Sequence, residues 1–251
     1  MLLKDPGQPK IHRLRIIHLY EADYNLLLAV KWRATMHNAE EQHLLNPGLY
    51  GCRKSRSAQD PVFIENLQNE IYRTSMKTAI NYDLDTTSCY DRIIPAVANI
   101  CSRRMGISNK VATLNSRALQ ATKYKLKTSL GTSTSGYQHN SASPIYGTGQ
   151  GSGNAPQIWN FICSALFDTY EEKAAGARFL SYDKKHEIKL YMTGYVDDCC
   201  QRLNNFSAFP QPTSAEVIQK MQHDAQWWHN LLWASGGALE ISKCSFHLIK
   251  S

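Results

Sequence analysis

The sequence has no run of about eighteen consecutive apolar residues, the length that a membrane-spanning helix requires, and no signal-peptide-like apolar stretch near Met1. We therefore expect an intracellular protein without a membrane partner. Its 7 cysteines form neither a Cys-x-x-Cys pair nor a Cys/His spacing typical of a zinc site. This pattern excludes a disulfide framework and predicts reduced thiols.

Acidic residues are absent from a long central segment. Between Arg92 and Phe167 there is no Asp or Glu, whereas eight basic residues occur there: Arg92, Arg103, Arg104, Lys110, Arg117, Lys123, Lys125 and Lys127. The whole chain has a formal net charge of +7. A segment with charge of a single sign indicates a polyanionic partner, most often nucleic acid, although a solvated basic helix face has the same composition.

The composition is that of a folded protein. Of 251 residues, 43% are hydrophobic and 20% are charged, which suffices for one large domain or two small ones. Hydrophobic periodicity and stop signals predict helices over residues 21–45, 58–74, 95–105, 109–127, 156–175 and 213–234. Strands are predicted at 77–85, before Asp197, and as a pair within 239–249. A hairpin is predicted around 183–185, and a hairpin or loose strands over 128–145. Because strands and helices alternate irregularly, the expected fold class is α+β with an antiparallel sheet.

Three carboxylates stand at the ends of predicted strands. Asp85 ends the strand at 77–85, and Asp197 and Asp198 form the tip of a predicted hairpin. An acidic turn closed by an Asx cap is one interpretation of that tip. If the two strands are neighbours, the carboxylates converge and supply the oxygen ligands that Mg²⁺ prefers. Two such ions about 3.5–4 Å apart are the usual arrangement for phosphoryl transfer.

A glycine-rich loop at residues 147–154 precedes the helix predicted at 156–175. Glycine permits close approach of the backbone to a ligand, and a helix start favours an anionic one. The loop lacks the Lys-Ser/Thr of a P-loop and the acidic context of a dinucleotide site. By itself it therefore indicates no particular ligand.

Four short motifs, in this order, resemble those of reverse transcriptases of the non-LTR retrotransposon kind. Residues 85–91 match motif A, an Asp followed by five residues that end in an aromatic and by a second Asp. Motif B is matched by Gln150-Gly151 and by Ala155-Pro156, and motif C by residues 195–198. Residues 237–243 are similar to motif D, which is a glycine, a short apolar run and a lysine.

Upstream of motif A the resemblance is looser. Residues 15–19 lack the Pro of the corresponding fingers segment, and residues 51–57 have Cys52 where Phe is usual. The resemblance implies a polymerase palm at 76–251, an antiparallel sheet backed by helices, with partial fingers at 1–75 and the thumb missing. It implies an RNA-directed DNA polymerase that adds dNTPs to the 3′-hydroxyl of a DNA primer on an RNA template. The implied cofactor is two Mg²⁺ ions, for which Mn²⁺ can substitute.

The resemblance also assigns roles to single residues. Asp85 and Asp197 would be the metal ligands, with Asp198 as a supporting ligand. Lys243 would donate a proton to the leaving pyrophosphate, and Tyr90 would be the steric gate that excludes a ribose 2′-hydroxyl. The other nucleotide contacts that we expect are Thr86, Gln150, Gly151 and, for the triphosphate, Arg15 and Arg53.

Two other functions remain open from the sequence alone. A viral-type RNA-dependent RNA polymerase shares the palm, although Tyr90 and the motif B loop favour deoxynucleotides. A retroelement remnant that binds nucleic acid without catalysis would keep the same motifs. Strong ribonucleotide incorporation would identify the first, and binding without primer extension would identify the second.

Overall fold

The structure is a computed structural model that describes residues 2–3, 14–87, 89–204 and 212–249. The chain forms two compact units, each described by itself below. The first unit comprises Met1–Gln42 and Tyr90–Trp159, and the second comprises His43–Cys89 and Asn160–Ser251. The boundary between fingers and palm that we predict near residue 75 is a functional division, and it stays a prediction.

The described residues include seven α-helices, most of them close to the predicted positions. They are α1 (Ala22–Glu41), α2 (Gln59–Ser75), α3 (Cys89–Arg92), α4 (Pro95–Arg104), α5 (Asn109–Ala121), α6 (Ala155–Glu171) and α7 (Ser214–Ala234). Local signals explain their bounds. Pro95 stands in the first turn of α4, and Thr213 and Glu216 form a capping box at the start of α7. None of these described helices combines the length and the hydrophobicity that crossing a bilayer needs.

The described strands pair in antiparallel fashion. They are β1 (Leu2–Leu3), β2 (Leu14–Arg15), β3 (Ala79–Asp85), β4 (Lys123–Tyr124), β5 (Lys127–Thr128), β6 (Gly131–Thr132), β7 (Tyr137–Gln138), β8 (Ala177–Leu180), β9 (Glu187–Leu190), β10 (Met192–Tyr195), β11 (Asp198–Asn204) and β12 (Ser245–Ile249). The central sheet has the order β10-β11-β3-β12, and the remaining strands form two-stranded ladders. The predicted fold class, α+β with an antiparallel sheet, is confirmed.

The central sheet, which belongs to the second unit, has different surroundings on its two faces. Alternate residues of a strand point to opposite faces. On one face, Ile80 and Leu203 pack with Val217 of α7. On the other face, Nδ2 of Asn81 donates to Oδ1 of Asn69 on α2 at 3.0 Å. The sheet therefore lies between α7, which covers its apolar face, and α2, which covers its polar face.

The first unit is built around Trp32 of α1. The indole is 2% exposed, and it lines a cavity of about 20 Å³ together with Ala98, Ala112, Leu119 and Ile158. A cavity of this size has room for about one water molecule. Residues from α1, α4, α5 and the start of α6 thus pack closely around the indole.

Two predicted elements differ from the structure. The helix predicted over 109–127 ends at Ala121, because Thr122 is extended and β4 pairs with β7. The lysines at 123, 125 and 127 therefore do not lie on a helix. The strand pair predicted within 239–249 is also wrong. It is a 3₁₀ turn at Ile241–Lys243 followed by the single strand β12, which pairs with β3.

Candidate active site

The turn that carries Asp197 is a tight hairpin between β10 and β11. Tyr195 and Asp198 are the last directly opposed residues, so Val196 and Asp197 form a two-residue loop. Val196 has a φ of 60°, in the left-handed region that β-branched residues rarely occupy. Such a conformation costs about 1–3 kcal/mol and is held by the surrounding structure. The sequence predicts the hairpin but gives no signal for the strain at Val196.

Asp85 stands directly opposite Asp198. Strands β3 and β11 are neighbours, and their register pairs these two residues. Directly opposed residues in antiparallel strands have Cβ atoms about 4.5–5.5 Å apart, and like charges there destabilise the pair. Burial raises the pKa of Asp198, and the charges of Asp197 and Asp85 raise it further. The three carboxylates therefore lie together at the edge of the central sheet where β3 ends and β11 begins.

Lys243 supplies a positive charge to this edge. Its Nζ lies 3.1 Å from Oδ2 of Asp85, and that hydrogen bond raises the pKa of the lysine. The lysine reaches Asp85 because the preceding segment is tied to the end of β3. Glu240 N donates to the carbonyl of Asp85 at 2.9 Å, and Thr87 N donates to the carbonyl of Ala238 at 2.8 Å. Residues 238–243 thus form one wall of the carboxylate site.

A backbone segment after α1 supports the hairpin. Tyr50 N donates to the carbonyl of Gly194 at 2.8 Å, and Gly194 N donates to the carbonyl of Gly48 at 2.9 Å. Gly51 lies against the turn itself. A Cβ at Gly51 would stand 2.5 Å from the backbone N of Val196 and 2.9 Å from its Cγ2. The position of the turn that bears Asp197 therefore depends on glycine at position 51.

We predict that Gly51→Ala lowers the free energy of unfolding by about 1–3 kcal/mol, the usual range for overpacking. The added methyl group meets backbone atoms of Val196, which cannot rotate away as a side chain would. Urea denaturation measures the effect. The matched control is Cys52→Ala at the neighbouring exposed position, for which we expect little change. Equal stabilities of the two variants would show that the segment does not support the turn.

Arg53 is engaged within the same segment. Its Nη1 donates to the carbonyl oxygens of Asn46 at 2.8 Å and Leu49 at 3.0 Å. These bonds hold the segment that supports the hairpin. A triphosphate contact of Arg53 stays a prediction. The side chain of Arg15, the other arginine that we expect there, lies outside the described part of the structure.

The glycine-rich loop belongs to the first unit and is held from two sides. Thr148 N donates to the carbonyl of Tyr90 at 2.9 Å, and His18 N donates to the carbonyl of Gln150 at 2.6 Å. The side chain of Gln150 also reaches Asp91, with Nε2 3.4 Å from Oδ2. The loop thus brings Gln150 together with Tyr90 and Asp91. The sequence marks Asp91 as the second Asp of motif A but gives no signal for its contact with Gln150.

Gly149 and Gly151 explain why this loop is rich in glycine. Their φ values are 74° and 108°, in the region that favours glycine. A Cβ at Gly149 would overlap with Nδ1 of His18 and stand 2.6 Å from Oη of Tyr20, and a Cβ at Gly151 would overlap with the carbonyl of His18. Burial lowers the pKa of His18, which favours a neutral imidazole beside the loop. Close backbone approach here is thus made to protein atoms.

A second group of possible metal ligands lies beside a buried arginine. Ligand atoms of Glu65, Asp83 and Cys200 lie within 4.8 Å of one another. Arg202, which is 1% exposed, has its Nη2 3.8 Å from Oε2 of Glu65. The guanidinium therefore supplies a positive charge to Glu65, and Nε2 of His247 lies 3.3 Å from Oδ2 of Asp83.

The predicted site residues thus fall into the two units. Asp85, Thr86, Asp197, Asp198, Lys243 and Arg53 lie in the second unit, and Tyr90, Gln150 and Gly151 lie in the first. Thr86 is 3% exposed, and among the described residues its Oγ1 has no hydrogen-bond partner. Gly51 and Val196 lie in two of the motifs, but the sequence does not predict that they shape the turn. Their close approach comes from residues far apart in sequence, so no local pattern marks it.

Comparison with solved structures finds similarity to telomerase of Candida tropicalis. The apo telomerase aligns with a TM-score of 0.54 and 10% sequence identity, over 90% of this chain and 37% of the telomerase chain. Telomerase of the same organism in complex with the TWJ fragment of telomeric RNA aligns with a TM-score of 0.52 and 13% identity, over 91% of this chain and 34% of the other. The sequence matches no protein-family model and no curated protein. The likeness shows a palm-like α+β fold, and the chain spans little more than a third of each of those telomerase chains.

Proposed function

We propose that this chain is the polymerase domain of a reverse transcriptase, of the kind found in non-LTR retrotransposons. The observation that carries the proposal is the directly opposed pair of Asp85 and Asp198, with Asp197 in the adjoining turn. Two directly opposed carboxylates repel each other, and a bound cation would relieve that repulsion. Burial and the two neighbouring carboxylates raise the pKa of Asp198 overall, although Lys243 beside Asp85 lowers it. The palm-like fold and the order of the four motifs support the same function.

The donor set of this edge fits Mg²⁺, and Mn²⁺ as its substitute. All three side chains offer carboxylate oxygens, the ligands that these ions prefer. A divalent cation would also remove the repulsion that raises the pKa of Asp198. The chemistry that two such ions supply is activation of the primer 3′-hydroxyl and stabilisation of charge on the leaving pyrophosphate. Asp85 and Asp197 would hold them, with Asp198 in support.

Lys243 is the proton donor of the proposed reaction. Its hydrogen bond to Asp85 raises the pKa of the ammonium group, so the lysine keeps its proton at neutral pH. A positively charged group of this kind can neutralise a leaving oxygen by transferring the proton. Its attachment through residues 238–243 to the end of β3 keeps Nζ beside the carboxylates.

The remaining residues of the proposal bind the nucleotide. Tyr90 would exclude a ribose 2′-hydroxyl, and Gln150 with Gly151 would border the incoming nucleotide and the template base. The contact between Gln150 Nε2 and Asp91 supports this role. It orients the amide so that Nε2 faces Asp91 and Oε1 is the end that can accept a hydrogen bond from a ligand. The other proposed nucleotide contacts are Thr86, Arg15 and Arg53.

The proposed partners are an RNA template, a DNA primer and dNTPs. One of the similar telomerase structures contains telomeric RNA, which supports a nucleic-acid partner for this fold. The acid-free segment between Arg92 and Phe167 supports it independently, since its charge is of one sign.

Primer extension tests the proposal. The protein is incubated with a poly(rA) template, an oligo(dT) primer and labelled dTTP or UTP, with and without Mg²⁺. We expect Mg²⁺-dependent incorporation of dTTP and much less of UTP, because Tyr90 would exclude the 2′-hydroxyl. Efficient incorporation of UTP would instead identify an RNA polymerase. Binding of the primed template without extension would identify a catalytically silent protein.

A further inference from the structure

Residues 123–138 form an exposed hairpin, which we call the basic arm. Strand β4 pairs with β7 at its base, and β5 pairs with β6 near its tip. Between the two ladders, Ser133 N donates to the carbonyl of Leu126 at 2.8 Å, and Leu126 N donates to Oγ of Ser133 at 3.0 Å. The arm is therefore one continuous hairpin with its turn at residues 129–130.

The base of the arm is anchored to the rest of the first unit. The ring of Tyr124 packs edge-on against His18 at a centroid distance of 5.3 Å and against His139 at 5.7 Å. The side chain of Gln138 donates to the carbonyl of Ala121, at the end of α5, at 3.1 Å. These contacts fix the direction in which the arm leaves the unit.

Three lysines alternate with other residues along the first half of the arm. Lys123, Lys125 and Lys127 are all exposed, and successive members of such a series are about 6.8 Å apart on an extended strand. The stem of Lys123 crosses Gly136, where an added Cβ would stand 2.8 Å from Cε. The intervening Tyr124 turns instead toward the two histidines.

The charges of these lysines are not balanced by acidic residues nearby in the sequence. The arm contains no Asp or Glu, and neither does the sequence around it from Arg92 to Phe167. Within the described part of the chain, none of the three lysines takes part in an ion pair. The rest of the arm is rich in hydroxyl groups, which also bind phosphate oxygens. An exposed row of cations with this spacing suits a polymer of regularly spaced phosphates.

We propose that the basic arm binds the sugar–phosphate backbone of an RNA–DNA duplex, without preference for base sequence. The proposal deepens the proposed function and rests on it for the choice of nucleic acid. Each phosphate that a lysine neutralises releases condensed counterions, so such binding weakens as salt concentration rises. The contribution of the arm to binding can therefore be measured from the slope of log K against the logarithm of salt concentration.

The test compares two variants that lose the same charge from two exposed hairpins. In the arm variant, Lys123, Lys125 and Lys127 are replaced by Gln. In the control, Lys184, Lys185 and Lys189 of the hairpin β8–β9 are replaced by Gln. That hairpin also contains three exposed lysines, but Asp183 and Glu187 lie among them.

Affinity for a labelled RNA–DNA duplex is measured over a series of salt concentrations, in EDTA and without dNTPs. Each neutralised phosphate contributes about 0.7–0.9 to the slope of log K against log salt, so the arm variant should lose about 2 to 3 from it. The slope of the control variant should fall by less than the contribution of one phosphate, which is about 0.7–0.9. A variant with Arg at the three arm positions should keep the wild-type slope.

Equal slopes for the arm variant and the control would overturn the proposal, and so would an unchanged slope in the arm variant. Because the measurement needs neither metal nor nucleotide, it is independent of catalysis. A protein that binds through the arm but extends no primer would contradict the proposed function alone. A protein that extends primers normally while the two slopes stay equal would contradict the arm alone.

Discussion

Asp197→Asn is expected to abolish nucleotide incorporation on a primed RNA template while making the metal-free protein more stable. The substitution removes a proposed metal ligand, and with it one of the charges that raise the pKa of Asp198. Relief of like-charge repulsion of this kind is worth about 0.2–1 kcal/mol. Thermal unfolding in EDTA measures the stability, and primer extension measures the activity. A gain in stability together with a loss of activity distinguishes a ligand from a residue that merely maintains the fold.

Added metal should change the difference in stability between wild-type protein and Asp197→Asn. A ligand that binds the folded state alone adds about 2.7 kcal/mol when present at 100 times its Kd. Wild-type protein should therefore gain stability when Mg²⁺ or Mn²⁺ is added, and Asp197→Asn should gain much less. The order of the two stabilities is thus expected to reverse between EDTA and saturating metal.

The pH dependence has a definite sign. Because the pKa of Asp198 is raised in the folded protein, the folded state binds that proton more tightly than the unfolded chain does. The contribution of Asp198 to the free energy of unfolding is therefore fully present at low pH, where the carboxyl is protonated. It is lost as pH rises through the raised pKa. In EDTA, the stability advantage of Asp197→Asn should therefore grow as pH rises through that range and then level off.

Asp183→Asn is the matched control. Asp183 lies in the turn of the hairpin β8–β9, in the same unit, where its Oδ1 accepts from Oγ of Ser181 at 2.6 Å. This hydrogen bond lowers the pKa of Asp183, so its carboxylate is stabilising where it stands. The control should lose a little stability and keep its activity. Normal incorporation by Asp197→Asn would rule out the two-metal mechanism at this edge.

Much of the fold follows from local signals in the sequence. The capping box at Thr213 and the proline at position 95 start α7 and α4 where the sequence places them. The alternating pattern at 77–85 gives β3 to within two residues, with Asp85 at its end. Hydrophobic periodicity, capping residues and helix-breaking residues act over a few residues of the chain. These elements could therefore be predicted without knowledge of what packs against them.

The remaining features depend on contacts between distant residues. The helix predicted through residue 127 stops at Ala121 because Tyr124 packs with His18 and His139 instead of continuing the helix. The turn at Val196 is shaped by Gly51, which is remote from it in sequence. Tertiary contacts override local propensity at such places. The carboxylate site could be proposed from the sequence, but the contact between Gly51 and Val196 that holds its turn could not.

Gly149→Ala is expected to disrupt the glycine-rich loop, with a large loss of stability in the first unit. An alanine at a φ of 74° costs about 1–2 kcal/mol for the left-handed backbone alone. Overlap of its methyl group with His18 and Tyr20 adds about 1–3 kcal/mol. Because the carbonyl of Gln150 is bonded to His18 N, the same overlap should displace Gln150. We expect a lower unfolding temperature and a higher KM for dNTP.

Comparison with Gly151→Ala separates overlap from backbone strain. The alanine methyl group at 149 meets side-chain atoms, Nδ1 of His18 and Oη of Tyr20, whereas the one at 151 meets the carbonyl oxygen of His18. In a His18→Ala/Tyr20→Phe background, the cost of Gly149→Ala should therefore fall to its backbone part. The cost of Gly151→Ala should be unchanged, because the carbonyl is still present. If the background reduced both costs equally, or neither, the loop would not be held by residues 18–20 in the way that these contacts require.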